Sequence, residues 1–144
     1  DATADFSFGS KYQIASGTNL NLRAGMEVTR EHDGTFVNVS VNQFIFPFLG
    51  NPVFADVGVK RYDAKKSKYL YGVYDSEVIS GRAAYSPGAT MTPYLGINSF
   101  FPITERISGF VRLNMDFLPS KVKDSPIVSE SSSISALFGV STTF

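Results

Sequence analysis

Hydrophobic and polar positions alternate with a period of two along most of the chain. From Asn19 the even positions are Leu20, Leu22, Ala24, Met26 and Val28, and between them sit Asn21, Arg23, Gly25, Glu27 and Thr29. From Ile107 the odd positions Ile107, Gly109, Val111, Leu113, Met115 and Phe117 alternate with Ser108, Phe110, Arg112, Asn114 and Asp116. The last segment sets Ile134, Ala136, Phe138, Val140, Thr142 and Phe144 against Ser133, Ser135, Leu137, Gly139, Ser141 and Thr143. Weaker alternation covers residues 4–14, 35–46, 52–62 and 88–100. The 3.6-residue repeat of an amphipathic helix is nearly absent. The pattern predicts seven strands of roughly 10–13 residues, where ordinary strands average about 5–6 and a tilted bilayer-crossing strand needs about 9–11.

Charge obeys the same alternation. Within the strands the charged residues are Asp5, Lys11, Arg23, Glu27, Asp56, Lys60, Arg112 and Asp116, and each falls in the polar register. A Lys or Arg facing lipid at mid-depth costs about 2–4 kcal/mol, which explains an apolar face kept free of charge. A soluble two-sheet sandwich also collects charge on one face, so the pattern alone leaves both readings open. The connections favour a membrane barrel. Residues 15–18, 47–51 and 101–105 are short links, 30–34 is intermediate, and 61–87 and 119–132 are long. Outer-membrane barrels pair short periplasmic turns with longer outer loops, whereas a sandwich has no need of that parity. Aromatics gather at strand ends: Tyr12, Phe44, Phe46, Phe48, Phe100 and Phe101 toward the short links, Phe36, Tyr62 and Phe117 toward the long ones. They read as two interfacial girdles. Gly139 and the terminal Phe144 resemble the signal read by the bacterial barrel-assembly machinery, although Thr142 stands where an aromatic is frequent.

The expected fold is therefore all-β, an antiparallel transmembrane β-barrel. If the last strand descends to the periplasm, the long links lie outside and Asp1 begins at the outer rim. Seven strands beginning outside are expected to be the C-terminal part of a larger, even-stranded barrel, because single-chain bacterial barrels have even strand numbers. The only visible candidate for an eighth strand is residues 69–74, and it is short.

Composition narrows the function. There is no cysteine, which excludes disulfide scaffolds, zinc–thiolate sites and thiol catalysis. Basic and acidic residues cancel at 13 each, so nucleic acid is not an expected partner. Charged residues make up 18% of the chain, against about 25% in a typical soluble domain. No apolar run approaches the ~20 residues of a membrane helix. No charged-then-apolar leader opens the sequence, and any targeting peptide is expected to have been removed.

Three segments carry a family resemblance. Tyr71-Gly72-Val73, then Ser80-Gly81-Arg82-Ala83-Ala84-Tyr85-Ser86-Pro87-Gly88-Ala89, then Asp124-Ser125-Pro126-Ile127-Val128 stand in order ahead of a final strand ending in Phe144. Together they resemble the MltA-interacting protein/OmpV family of outer-membrane proteins. The acidic Tyr74-Asp75-Ser76-Glu77 departs from the family's usual small residues. The resemblance implies an outer-membrane barrel without known catalysis. Some relatives act as a scaffold bringing a lytic transglycosylase together with a peptidoglycan synthase, and others are linked to adhesion, osmotic response or solute passage. The expected partners are outer-membrane lipid and lipopolysaccharide, the barrel-assembly machinery and periplasmic peptidoglycan enzymes.

No catalytic residue, metal site or cofactor is expected. His32-Asp33 lies in an outer loop as a membrane-barrel hydrolase would require, but Asp-Gly after it is ordinary turn chemistry. The serines at 129–133 read as a solvated strand entry. Lys60, Arg61, Lys65, Lys66 and Lys68 make a basic cluster, and Lys65, Lys66 and Lys68 are candidate contacts for lipopolysaccharide phosphate. Asp75 is a candidate cap for a short helix over residues 76–80. Pro47-Phe48-Leu49-Gly50 is the most apolar of the short turns, suited to a partner or to interfacial anchoring. The eight strand charges, four of each sign, point to cross-strand pairs and a mostly blocked lumen, with part of residues 61–87 as a candidate inward-folded plug. The leading function is an envelope scaffold, and a passive or gated solute channel or a surface adhesin is the alternative.

Overall fold

The computed structural model describes residues 3–142, in which seven strands form one antiparallel meander. They are β1 (Asp5–Ala15), β2 (Thr18–Glu27), β3 (Thr35–Phe48), β4 (Asn51–Tyr62), β5 (Thr90–Pro102), β6 (Ile107–Phe117) and β7 (Ser132–Thr142). Each pairs with its sequence neighbours, and among the described residues β1 and β7 form the two edges. No helix among them is long and apolar enough to cross a membrane. Phe144 lies outside the described residues.

Burial decides between the two readings that alternation left open. Asp56 and Thr92 are each 1% exposed, whereas the outward Val57 is 57% and Leu95 48% exposed. A sandwich would bury its apolar face. Here the polar face is enclosed and the valines, leucines and isoleucines are displayed. Of the largest fully buried side chains, Thr92, Asp56 and Ser67 are polar and only Val122 is apolar. The sheet curls far enough for side chains two strands apart to touch: Tyr94 Oη on β5 donates to Asn38 Oδ1 on β3 at 3.1 Å. Neighbouring strands lie about 4.8 Å apart, so such a contact bridges nearly 10 Å of sheet. Gly58 permits the curl at its tightest row. A Cβ there would lie 2.7 Å from both the Ser40 side chain and the Tyr94 ring.

The girdle expectation changes in detail. Tyr12, Phe46, Phe48, Phe101 and Phe117 lie on the apolar face. Phe44 shares the inner register with Asn42, and it meets Phe54 edge-on at 5.8 Å. A bulge between Phe44 and Phe46 then switches the parity of the hairpin. Phe100 lies against Phe110, centroids 6.1 Å apart, and both line an inner cavity. Phe36 and Tyr62 pair with each other on the inner face, so the long-link rim has no full outward girdle.

Two helices escape the alternation. α1 (Ala64–Tyr71) sits within the basic cluster, and α2 (Ser120–Lys123) opens the last long link. Asp63 caps α1, its Oδ1 accepting from the Lys66 amide at 2.8 Å. Asp is among the preferred caps, and Ala and Lys propagate a helix well. The helix expected after Asp75 is instead a single 3-10 turn, Asp75–Glu77, and the first half of the segment considered for an eighth strand, residues 69–71, is the end of α1.

Candidate functional site in the lumen and its loop cover

The strand register aligns the inner charges. Asp56 pairs with Gly96, and Gly96 with Asn114, so the glycine leaves a gap in β5 between side chains on β4 and β6. Asp56 on β4 is bonded through Oδ2 to Arg112 Nη2 on β6, with Asn98 Nδ2 at 3.4 Å as a second donor. Two inward-facing positions nearer the long links, Lys60 Nζ bonds both Asp116 oxygens at 2.7 Å and lies 4.9 Å from the Tyr94 ring centre. These four residues form two ion pairs that bridge β4 and β6 over β5.

The other four behave differently. Asp5 is paired at 2.7 Å with Lys66, which comes from α1. Glu27 takes Thr29, His32 and Asp33, accepting amide hydrogens from His32 at 3.2 Å and Asp33 at 3.0 Å. Arg23 donates to Ser7 Oγ at 2.8 Å and lies 5.6 Å from the Phe36 ring centre. Lys11 lines a 340 Å³ cavity together with Arg23 and Arg112. Lys11 has no ion pair or hydrogen bond among the described residues.

Lys66 departs from its expected place among the lipopolysaccharide contacts. It is 8% exposed, and its ammonium points inward over Phe36 to reach Asp5. Along α1 Lys66 is turned about 100° from Lys65, whereas Lys65 and Lys68, three residues apart, share one side of the helix. Lys65 stays in solvent 3.8 Å from Asp33, and Lys68 lies 4.6 Å from the Tyr74 ring centre.

The three family segments meet above this rim. Ser125, 2% exposed, donates from Oγ to the Tyr71 carbonyl at 2.6 Å. Val73 and Tyr85 form an isolated antiparallel bridge, and Tyr85 Oη donates to the Lys121 carbonyl at 2.7 Å. Gly72 ends α1 where a side chain would strike the Lys68 carbonyl. Ser80 and Gly81 form the exposed tip of the Ile79–Arg82 hairpin, while Asp124 and Pro126 flank the buried Ser125 in solvent. The two long links are thereby locked into one cover. Ser67 joins it to β5, its hydroxyl 2.9 Å from that of Thr90. Thr35 Oγ1 joins it to β3 by donating to Asp63 at 3.0 Å.

Two groups of the cover titrate away from their ordinary values. Burial pushes the Asp63 carboxyl up, but the Lys66 and Thr35 hydrogen bonds and the nearby Lys65 charge outweigh it and hold it low. Burial, reinforced by the Asp116 charge, pushes the Tyr71 phenol up.

His32 is used structurally. Its Nδ1 accepts from the Gly34 amide at 2.9 Å and its ring lies 4.5 Å from that of Tyr69. Asp33 turns away toward Lys65. Gly139 lies directly beneath the Phe110 ring, with no room for a Cβ.

Comparison with known proteins agrees with this architecture. The family described as MltA-interacting protein MipA matches residues 1–144. Outer membrane protein YiaT of Escherichia coli (strain K12) is 34% identical over 89 residues, covering 61% of this chain and 36% of its own length. The 24 kDa outer membrane protein of Pasteurella multocida (strain Pm70) is 22% identical over 131 residues, 89% of this chain and 51% of its own. The chain thus spans between about a third and a half of the length of these curated relatives. No solved structure matches. The chain belongs to the MltA-interacting protein MipA family and is an outer-membrane protein.

Proposed function

We propose that this chain is part of a noncatalytic envelope scaffold, whose short-turn end meets a periplasmic peptidoglycan enzyme of the kind in the family's name. In this reading the long links face outward, where their cover cannot touch a periplasmic protein. Docking then falls to the opposite rim. The observation that carries the proposal is the tip of the β3–β4 hairpin. Gln43 already pairs with Thr18, the first residue of β2, so Phe46, Pro47 and Phe48 project beyond that strand. Leu49 at the apex is 84% exposed and has φ of 49°. A non-glycine residue in the left-handed region costs about 1–2 kcal/mol. An exposed leucine held there gains no packing inside the sheet, and it suits an apolar contact outside it.

The eight lumen charges have a second part in this reading. In this reading the paired charges and the α1 cover narrow the long-link end, which supports a scaffold over an open channel. The test is site-specific photocrosslinking in cells. A photoreactive residue at Leu49 should capture a lytic transglycosylase, and one at Ile79 on the opposite rim should not. Capture from Ile79 alone, or labelling of lipid alone from Leu49, overturns the proposal. Stable open conductance of the full-length protein in planar bilayers would return the channel reading.

A further inference from the structure

The distribution of partners over the lumen charges leaves two cations unspent. Four acidic and four basic residues balance in number, but Lys66 from α1 takes Asp5 and the links at residues 29–33 take Glu27. Lys60 and Arg112 hold the remaining two carboxylates. Lys11 and Arg23 are left without an acidic partner among the described residues.

Both line the same 340 Å³ cavity, at the small end of the roughly 300–1,000 Å³ typical of small-molecule pockets. Lys11 lies opposite Asn21, and Arg23 opposite Asn38. The two cations are therefore diagonal neighbours, whose backbones are roughly 7–8 Å apart. Gly9, opposite Arg23, adds no side chain between them. Among the described residues no carboxylate lines the cavity; Arg112, already paired with Asp56, is a third cation in its wall, the other polar walls are chiefly amides, Asn21, Asn38, Asn42 and Asn98, and Phe100 supplies a flat apolar wall. Guanidinium and ammonium groups select oxyanions, and amides pair with hydroxyls because each both donates and accepts.

We propose that this cavity binds a small hydroxylated oxyanion, its carboxylate or phosphate held between Lys11 and Arg23 and its hydroxyls by the asparagine side chains. The site is distinct from the hairpin tip used for docking, and it stands or falls independently of the scaffold reading.

Isothermal titration of the full-length protein in micelles tests this with glucuronate, glucose 6-phosphate, neutral glucose and cationic glucosamine. The two anions should bind saturably and the other two should not. Binding of only one anion assigns the charged group as carboxylate or phosphate and still supports the site. Lys11→Gln with Arg23→Gln should weaken anion binding at least tenfold, with native heat-modifiable mobility retained. Lys11→Glu should abolish anion binding and admit glucosamine, a gain that a misfolded barrel cannot produce. Absence of saturable binding by either anion, equal binding of glucose, or unchanged affinity in the double variant overturns the proposal.

Discussion

Replacing Arg112 with leucine isolates the most enclosed charge of the lumen. The Asp56 side chain is fully buried, its Oδ1 has no hydrogen-bond partner among the described residues, and Oδ2 relies on Arg112 and a 3.4 Å contact from Asn98. Breaking a buried ion pair from one side typically costs about 3–5 kcal/mol. Arg112 itself is 39% exposed, so water reaches one member of the pair and the lower bound, about 3 kcal/mol, is the better expectation. Adding Asp56→Asn to Arg112→Leu removes the stranded charge and should recover most of that loss. Urea unfolding of the folded barrel in vesicles, followed by heat-modifiable mobility, measures both variants. If Arg112→Leu unfolds at the wild-type midpoint, or the double variant is no better than the single one, the pair does not hold β4 to β6 as described.

Three further outcomes follow from named contacts. Asp63→Ala should cost about 1 kcal/mol through loss of the α1 cap and should raise protease cleavage within residues 63–89 at neutral pH. Because the folded Asp63 carboxyl is held below its ordinary value of 3.8, its contribution is complete above that value and is lost as pH falls through the lower folded one. Wild-type links should therefore loosen in acid, whereas Asp63→Asn should show no such step; identical pH profiles would remove the cap from the argument. Gly139→Val should push aside the Phe110 ring and weaken β6–β7 pairing, with Phe110→Ala restoring hydrogen-exchange protection in β7. Failure of that rescue would assign Gly139 to assembly rather than to packing. Val57→Arg should reduce folding into vesicles by about 2–4 kcal/mol if Val57 faces lipid, and Asn42→Arg on the inner face should cost far less.

Much of this architecture was legible because strand side chains alternate with an invariant period. The eight charges, the seven strands and the long and short links all follow from it. The same parity already placed Phe36, Tyr62, Phe44 and Phe100 with Asn38, Lys60, Asn42 and Asn98. Reading them by their place at strand ends set that information aside, and the structure puts them inside. Which face was enclosed depended on curvature, and curvature depends on cross-strand pairs such as Gly58 beneath Tyr94, whose partners are far apart in sequence. The cover was harder to foresee. Lys66 looked like one of several surface lysines because the helix that turns it inward spans only eight residues. Asp63 ahead of Ala64-Lys65-Lys66 was an available capping signal. The convergence of Tyr71, Tyr85 and Ser125 was not available, since nothing local in either long link indicates the other.

The placement of lipid against the apolar strand face and water against the charged one is open to direct measurement. These 144 residues contain no cysteine, so single cysteines here report without background from this chain. Single-cysteine variants at Val57, Leu95 and Leu113, and at Asn21, Asn38 and Asn42, would be treated in native outer-membrane vesicles with a small water-soluble maleimide. The structure predicts labelling at Asn21, Asn38 and Asn42, and protection at Val57, Leu95 and Leu113 until detergent is added. Labelling of the valine and leucine positions in intact membrane, with the asparagine positions protected, would contradict it.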